Sequence, residues 1–179
     1  MYCVMKYDSP VGQLTIAGDE RGLAGLWLEG QKYFGGTVPG GLRPRDDLAV
    51  FSQARDWLDR YFSGKKPVPG ELPLAPIGGE FRQTVWKLLC EIPYGQLVTY
   101  GQIAGEAAKR LRRESMSAQA VGGAVGHNPI SIIIPCHRVV GAGGSLTGYA
   151  GGIDKKIWLL THEGVSMDGL TVPARGTAL

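Results

Sequence analysis

Pro67, Pro69, Pro73 and Pro76 all fall between Gly64 and Pro76. Proline fixes φ, lacks an amide hydrogen and pushes its predecessor away from the helical region. No long helix and no central strand can cross this stretch. It predicts an extended linker and divides the 179 residues into 1–76 and 77–179, enough chain for two small domains.

The first half reads as a β-meander followed by a helix. Tyr2 to Tyr7 alternate, and Asp8-Ser9-Pro10 is a turn signal. Val11 to Ala17 forms a second strand, Gly18 to Gly22 turns again, and Leu23 to Leu28 forms a third. Residues 29–45 are rich in Gly and Pro and read as loop. From Asp46, the positions Leu48, Phe51, Ala54, Leu58 and Tyr61 have helical spacing, with Asp46 and Asp47 suited to the N-terminus. No constellation of reactive groups stands out here, so residues 1–76 read as an α/β scaffold.

The second half reads as helical. Phe81, Val85, Leu88 and Leu89 share a helix face that ends at Ile92-Pro93-Tyr94-Gly95. Thr99 to Gln102 matches a capping box and opens a second helix through Ile103, Ala104, Ala107, Ala108 and Leu111. Ser117 caps a third, from Ala118 to about His127, stopped by Asn128-Pro129. Two short helices with Lys109, Arg110, Arg112 and Arg113 between them fit a helix-turn-helix. The basic cluster reads equally as a solvated helix end or as a phosphate-contacting surface. The third helix carries Ala120, Gly122 and Gly123 and almost no long polar side chains, unlike a major-groove reader. Each interior Gly costs about 1 kcal/mol relative to Ala, so something requires the smooth face. Close packing inside the protein is one explanation, and close approach to a nucleic-acid backbone or minor groove is the other. Asp154 is expected to cap a last helix that ends at His162-Glu163-Gly164, and Ser166 to Leu179 read as a poorly ordered tail.

The chemistry concentrates in Ile130 to Val140. Ile132, Ile133 and Ile134 read as a short buried strand ended by Pro135, and Cys136, His137 and Arg138 follow at once. A lone Cys is often a small core hydrophobe. Here an imidazole and a guanidinium adjoin it, and such neighbours lower a thiol pKa and favour the nucleophilic thiolate. Adjacent side chains point apart, so a water between Cys136 and His137 is the expected proton path.

The three cysteines form no close pair, which argues for a reducing compartment and against a disulfide framework or thiolate zinc site. No apolar run approaches a membrane span, and the N-terminus has no signal-peptide pattern. Cytoplasmic localisation is the expectation. Residues 81–179 hold 10 Lys+Arg against 6 Asp+Glu, whereas residues 1–80 hold 9 against 10. The basic excess thus shares a half with the cysteine.

Pro135-Cys136-His137-Arg138-Val139 resembles the active-site motif of the O6-alkylguanine-DNA alkyltransferases. Val98-Thr99-Tyr100, Ala120 to Ala124, Asn128-Pro129, Thr147-Gly148-Tyr149 and His162-Glu163-Gly164 agree in order. The resemblance implies an α+β chain, with a ribonuclease-H-like first domain and a helical DNA-binding domain carrying a winged helix-turn-helix. It implies direct, single-turnover transfer of an alkyl group from O6-alkylguanine, flipped out of duplex DNA, to Cys136. O4-alkylthymine is left open as a further substrate. His137, oriented by Glu163, would take the thiol proton, Tyr100 would protonate the leaving guanine, and Asn128 would hold the active-site turn. Tyr149, Val139, Ala150 and Gly151 would line the base pocket. Gln119, Ala120, Gly122, Gly123, Arg112, Arg113 and Arg138 would face DNA. No metal or cofactor is implied, the partner is double-stranded DNA, and the chain is expected to act as a monomer. One position departs: Gln119 stands where the family has an arginine that replaces the flipped base. A non-enzymatic damage sensor and a cysteine hydrolase using Cys136, His137 and Glu163 are the alternatives.

Overall fold

The computed structural model describes residues 1–174. The described chain forms two compact units, one of residues 1–78 with 129–133, the other of the remainder.

In the first unit, β1 (Cys3–Ser9), β2 (Gly12–Asp19) and β3 (Gly22–Leu28) make the expected antiparallel meander. Met5 lies opposite Ile16, and Ile16 opposite Leu26, so the apolar residues of the three strands share one face. The segment expected to be loop contributes β4 (Arg43–Pro44), a short edge strand parallel to β1. Its Pro is tolerated because the edge leaves no ladder bond to break. Helix α1 (Ala49–Phe62) buries Val50, Phe51, Ala54, Trp57, Leu58 and Tyr61. It starts after Leu48, and Asp47 pairs with Arg45 instead of capping it.

The proline-rich segment is tied down and is not a free linker. Leu23 donates to the Pro73 carbonyl at 2.8 Å and Ala75 donates to the Leu23 carbonyl at 2.7 Å. Trp57 Nε1 donates to the Val68 carbonyl at 2.9 Å. Prolines remove donors but leave carbonyls: the Pro73 carbonyl satisfies a strand edge, and the Val68 carbonyl, just before Pro69, satisfies the buried indole.

The expected strand over Ile132–Ile134 is absent. Ile130 alone bridges Leu26, with the Pro129 carbonyl accepting from Leu26 and Ser131 donating back to it. Gln31 Oε1 accepts from both the Leu28 amide and Ser131 Oγ, which fixes this edge. The chain then turns: Ile132 has φ of +70°, and Ile133 donates to the Ser131 carbonyl. A β-branched residue held there costs roughly 1–3 kcal/mol. The isoleucines are buried, as their type demands, but a short apolar run does not by itself distinguish strand from turn.

The second unit contains α2 (Glu80–Cys90), α3 (Tyr100–Arg110), α4 (Ala118–Gly126) and α5 (Ile153–His162). Between them β5 (Val98–Thr99) pairs in parallel with β6 (Val139–Val140). The capping box at Thr99 and Gln102 is present in both directions, and Ser117 Oγ accepts from the Ala120 amide. Trp86 Nε1 donates to the Ala124 carbonyl at 2.9 Å, which ties α4 to α2. Helix α5 is preceded by Gly152, not capped by Asp154, whose carboxylate lies in the first turn and still favours the helix dipole. The tail is anchored as far as Thr171. Thr171 bridges Ser145, while Met167 and Leu170 pack against Val140, Leu146 and Leu160. Residues 175–179 lie outside the described chain.

Candidate active site

Two tight turns deliver the thiol. Pro135, with φ −81° and ψ 63°, sits in an inverse γ-turn in which the Cys136 amide donates to the Ile134 carbonyl at 2.8 Å. A short 3-10 helix, Cys136–Arg138, follows and leads into β6. Asn128 Nδ2 donates to the Ile134 carbonyl at 2.8 Å and its side chain also hydrogen-bonds the Cys136 thiol. Cys136 is 5% exposed. Burial pushes its thiol pKa up, against the hydrogen bond from Asn128 and the nearby Lys156 ammonium, which pull it down.

His137 is fully buried. Its Nε2 lies 2.8 Å from Glu163 Oε1. Burial lowers the imidazole pKa, and Arg138 and Lys156 lower it further, against the pull of Glu163. The ring is therefore neutral at pH 7. A carboxylate only accepts, so Nε2 carries the proton and Nδ1 keeps a free lone pair. Nδ1 has no hydrogen-bond partner among the described residues. This is a base oriented by a carboxylate, with its basic nitrogen open.

Arg138 corrects a sequence expectation. It is 3% exposed and its guanidinium binds Glu163 through Nε at 2.9 Å and Nη2 at 2.8 Å. Nη1 donates to the Ile92 carbonyl at 2.7 Å. So placed, it cannot meet a phosphate. Burial alone would raise the Glu163 carboxyl, but the hydrogen bonds from His137 and Arg138 hold it well below the usual carboxylate range. Arg138 keeps Glu163 ionised, and Glu163 fixes His137.

Lys156 is a site residue that the sequence motifs do not mark. It is fully buried, with Nζ 2.5 Å from the Val139 carbonyl and 2.9 Å from the Thr147 carbonyl. Burial lowers its pKa to about 8, opposed by attraction to Cys136. A signal was available: Lys156 occupies the apolar face of α5 marked by Leu159 and Leu160. Tyr100 shares one of its acceptors. The Tyr100 hydroxyl donates to the Thr147 carbonyl at 2.8 Å, and burial raises its pKa to about 12. Gly148, with φ of +80°, makes this possible, since a Cβ there would collide with the Tyr100 hydroxyl. Tyr149 is buried and its ring meets His137 edge to face, while Val139 is buried and Ala150 and Gly151 are half-buried.

On α4, Gln119, Ala120 and Gly123 are exposed. A Cβ at Gly123 would meet nothing within 4 Å, and at Gly122 only the Tyr100 ring at 4.0 Å. Internal packing therefore does not require these glycines. In the basic cluster, Arg110 pairs with Glu91 and Lys109 with Glu106. Arg112 and Arg113 are exposed and form no ion pair among the described residues. Arg112 holds φ of +55°, and the Arg113 amide closes the end of α3 on the Ala108 carbonyl.

Comparison with known proteins finds matches over both halves of the chain. Residues 2–76 match the ribonuclease-like domain of 6-O-methylguanine DNA methyltransferase, and residues 80–165 match the DNA binding domain of the same family. Two methylated-DNA–protein-cysteine methyltransferases are similar to the chain. That of Haemophilus influenzae is 42% identical over 88% of this chain and 83% of its own. That of Methanosarcina barkeri is 45% identical over 89% and 97%. Among solved structures, Mycobacterium tuberculosis OGT in complex with DNA is 42% identical, with TM-score 0.75 over 90% of this chain and 91% of that one.

Proposed function

This chain belongs to the 6-O-methylguanine DNA methyltransferase family, and on that premise we propose how its own residues repair alkylated DNA. The reaction is direct transfer of a methyl or other alkyl group from O6-alkylguanine in DNA to a protein cysteine, here Cys136. The observation that carries this reading is the buried thiol beside a neutral His137, whose Nε2 is held by Glu163 and whose Nδ1 is open.

The base must leave the stack to reach a buried thiol. The smooth α4 face of Ala120, Gly122 and Gly123 suits close approach to the minor groove, and Arg112 and Arg113 suit phosphates. Val139, Ala150, Gly151 and the Tyr149 ring receive the extruded base. The thiol proton passes through water to His137 Nδ1, giving an imidazolium against Glu163. The sulfur attacks the alkyl carbon, a C–S bond forms and the carbon–O6 bond breaks. Tyr100 donates its hydroxyl proton to the departing guanine. Lys156, bound to the same Thr147 carbonyl as Tyr100, places a positive charge beside both the thiolate and the forming tyrosinate.

A thioether is a poor leaving group, so each chain should act once. With lesion DNA in excess, alkyl transfer should plateau at one group per chain, and continued turnover would refute the reading. The chain needs only itself and DNA for this step, and we take it to act as a monomer in the cytoplasm. The free thiols of Cys3, Cys90 and Cys136 fit that reducing setting.

Two expected results follow from the site. Gln119 carries no charge and stacks less well than arginine. Gln119→Arg should therefore speed repair of duplex substrate while leaving single-stranded substrate unchanged, as single-turnover rates will show. The pH profile should be bell-shaped. His137 works as a base only when neutral, and its pKa is lowered, so the acid limb should lie below pH 6.5. Lys156 helps only when charged, so the rate should fall as pH rises past about 8.

A further inference from the structure

Two polar atoms in the site are buried and have no hydrogen-bond partner among the described residues: His137 Nδ1 and the Tyr149 hydroxyl. Tyr149 is only 4% exposed, and its ring contacts the imidazole edge to face, centroids 6.4 Å apart. Leaving a buried hydroxyl unpaired is costly, and one apolar wall of a pocket needs no hydroxyl at all. Phenylalanine would serve as a wall equally well. The hydroxyl therefore answers to something else beside the imidazole.

We propose that the Tyr149 hydroxyl is a positioning group for the water that carries the Cys136 proton to His137. This rests on the alkyltransfer reading and deepens it. A buried water needs about two to four polar partners. The thiol S–H and the Tyr149 O–H donate to the water oxygen, and the water donates one hydrogen to His137 Nδ1. As the thiolate forms, the thiol proton joins the water and the water's own hydrogen moves to Nδ1. The water is regenerated, the imidazolium is balanced by Glu163, and Tyr149 keeps its proton throughout. Tyr149 is suited to that role: burial, with the charges of Cys136 and Glu163, raises its pKa well above the ordinary value. The charged groups around the relay are Cys136, Glu163, Arg138 and Lys156.

Tyr149→Phe keeps the ring and removes only the hydroxyl, so folding should survive. Two rates test it: methyl transfer from saturating O6-methylguanine DNA, and iodoacetamide labelling of Cys136 without DNA across neutral pH, read by peptide mass. Both should fall about tenfold, the effect of losing one fixed hydrogen bond. In a His137→Leu background the loss should vanish, because both groups hold one water. Rates within about twofold of the unsubstituted protein, or the same loss with His137 removed, would overturn the assignment. If the unsubstituted protein takes no methyl group from DNA while the coupling persists with iodoacetamide, the relay stands and the repair reading falls.

Discussion

Glu163→Gln is expected to destabilise the second unit by about 3–5 kcal/mol, the usual cost of removing one partner from a buried ion pair. The amide leaves the Arg138 guanidinium, 3% exposed, without its counter-charge. It also leaves one acceptor oxygen where His137 and Arg138 shared two, and removes the charge that balances the imidazolium. Alkyl transfer should slow by about a thousandfold or more, as when a buried carboxylate–histidine pair loses its charge. Pairing it with Arg138→Met separates the two effects: the melting temperature should recover, since no buried charge is left alone, and the rate should not. Recovery of both would mean that Glu163 acts only on stability. The pH dependence has a definite sign. The Glu163 carboxyl is depressed in the folded chain, so its contribution is complete above the ordinary carboxyl value of 4.5. It is lost only as pH falls towards the lower folded value.

Lys156→Met should slow alkyl transfer by about a hundredfold or more, the scale for losing one preorganised charged donor at a reacting centre. Methionine fills the same space without charge. Stability should move little, because removing a desolvated ammonium offsets the loss of its bonds to the Val139 and Thr147 carbonyls. The diagnostic readout is the pH profile. The alkaline limb near pH 8 belongs to Lys156 and should disappear in the variant. If it persists, another group carries it, and the charge of Lys156 is not used in the reaction.

The parts of the fold that were legible in the sequence are those set by local rules. The meander, the capping box at Thr99, the cap at Ser117 and the helix end before Gly164 all follow from turn and capping chemistry. What escaped depends on tertiary surroundings. Burial class does not reveal backbone shape, so the sequence places Ile132 in a strand although it turns at positive φ. Arg138 is expected at the DNA face because nothing local shows that a residue 25 positions away supplies its buried counter-ion. The role of Lys156 is hidden for the same reason, although a lysine on an apolar helix face is a visible anomaly. The cysteine, histidine and glutamate were legible only as a set of motifs in order. Their geometry, with one imidazole nitrogen engaged and the other open, is a property of the folded chain.

The central claim is that one sulfur takes the alkyl group and keeps it. Intact mass after incubation with duplex DNA containing O6-methylguanine tests this most directly. The account predicts a gain of a single CH2, the difference between methyl and hydrogen, mapped to Cys136 and absent from Cys136→Ala. An unchanged mass with the lesion nonetheless removed, or a methyl group still acquired by Cys136→Ala, would contradict it.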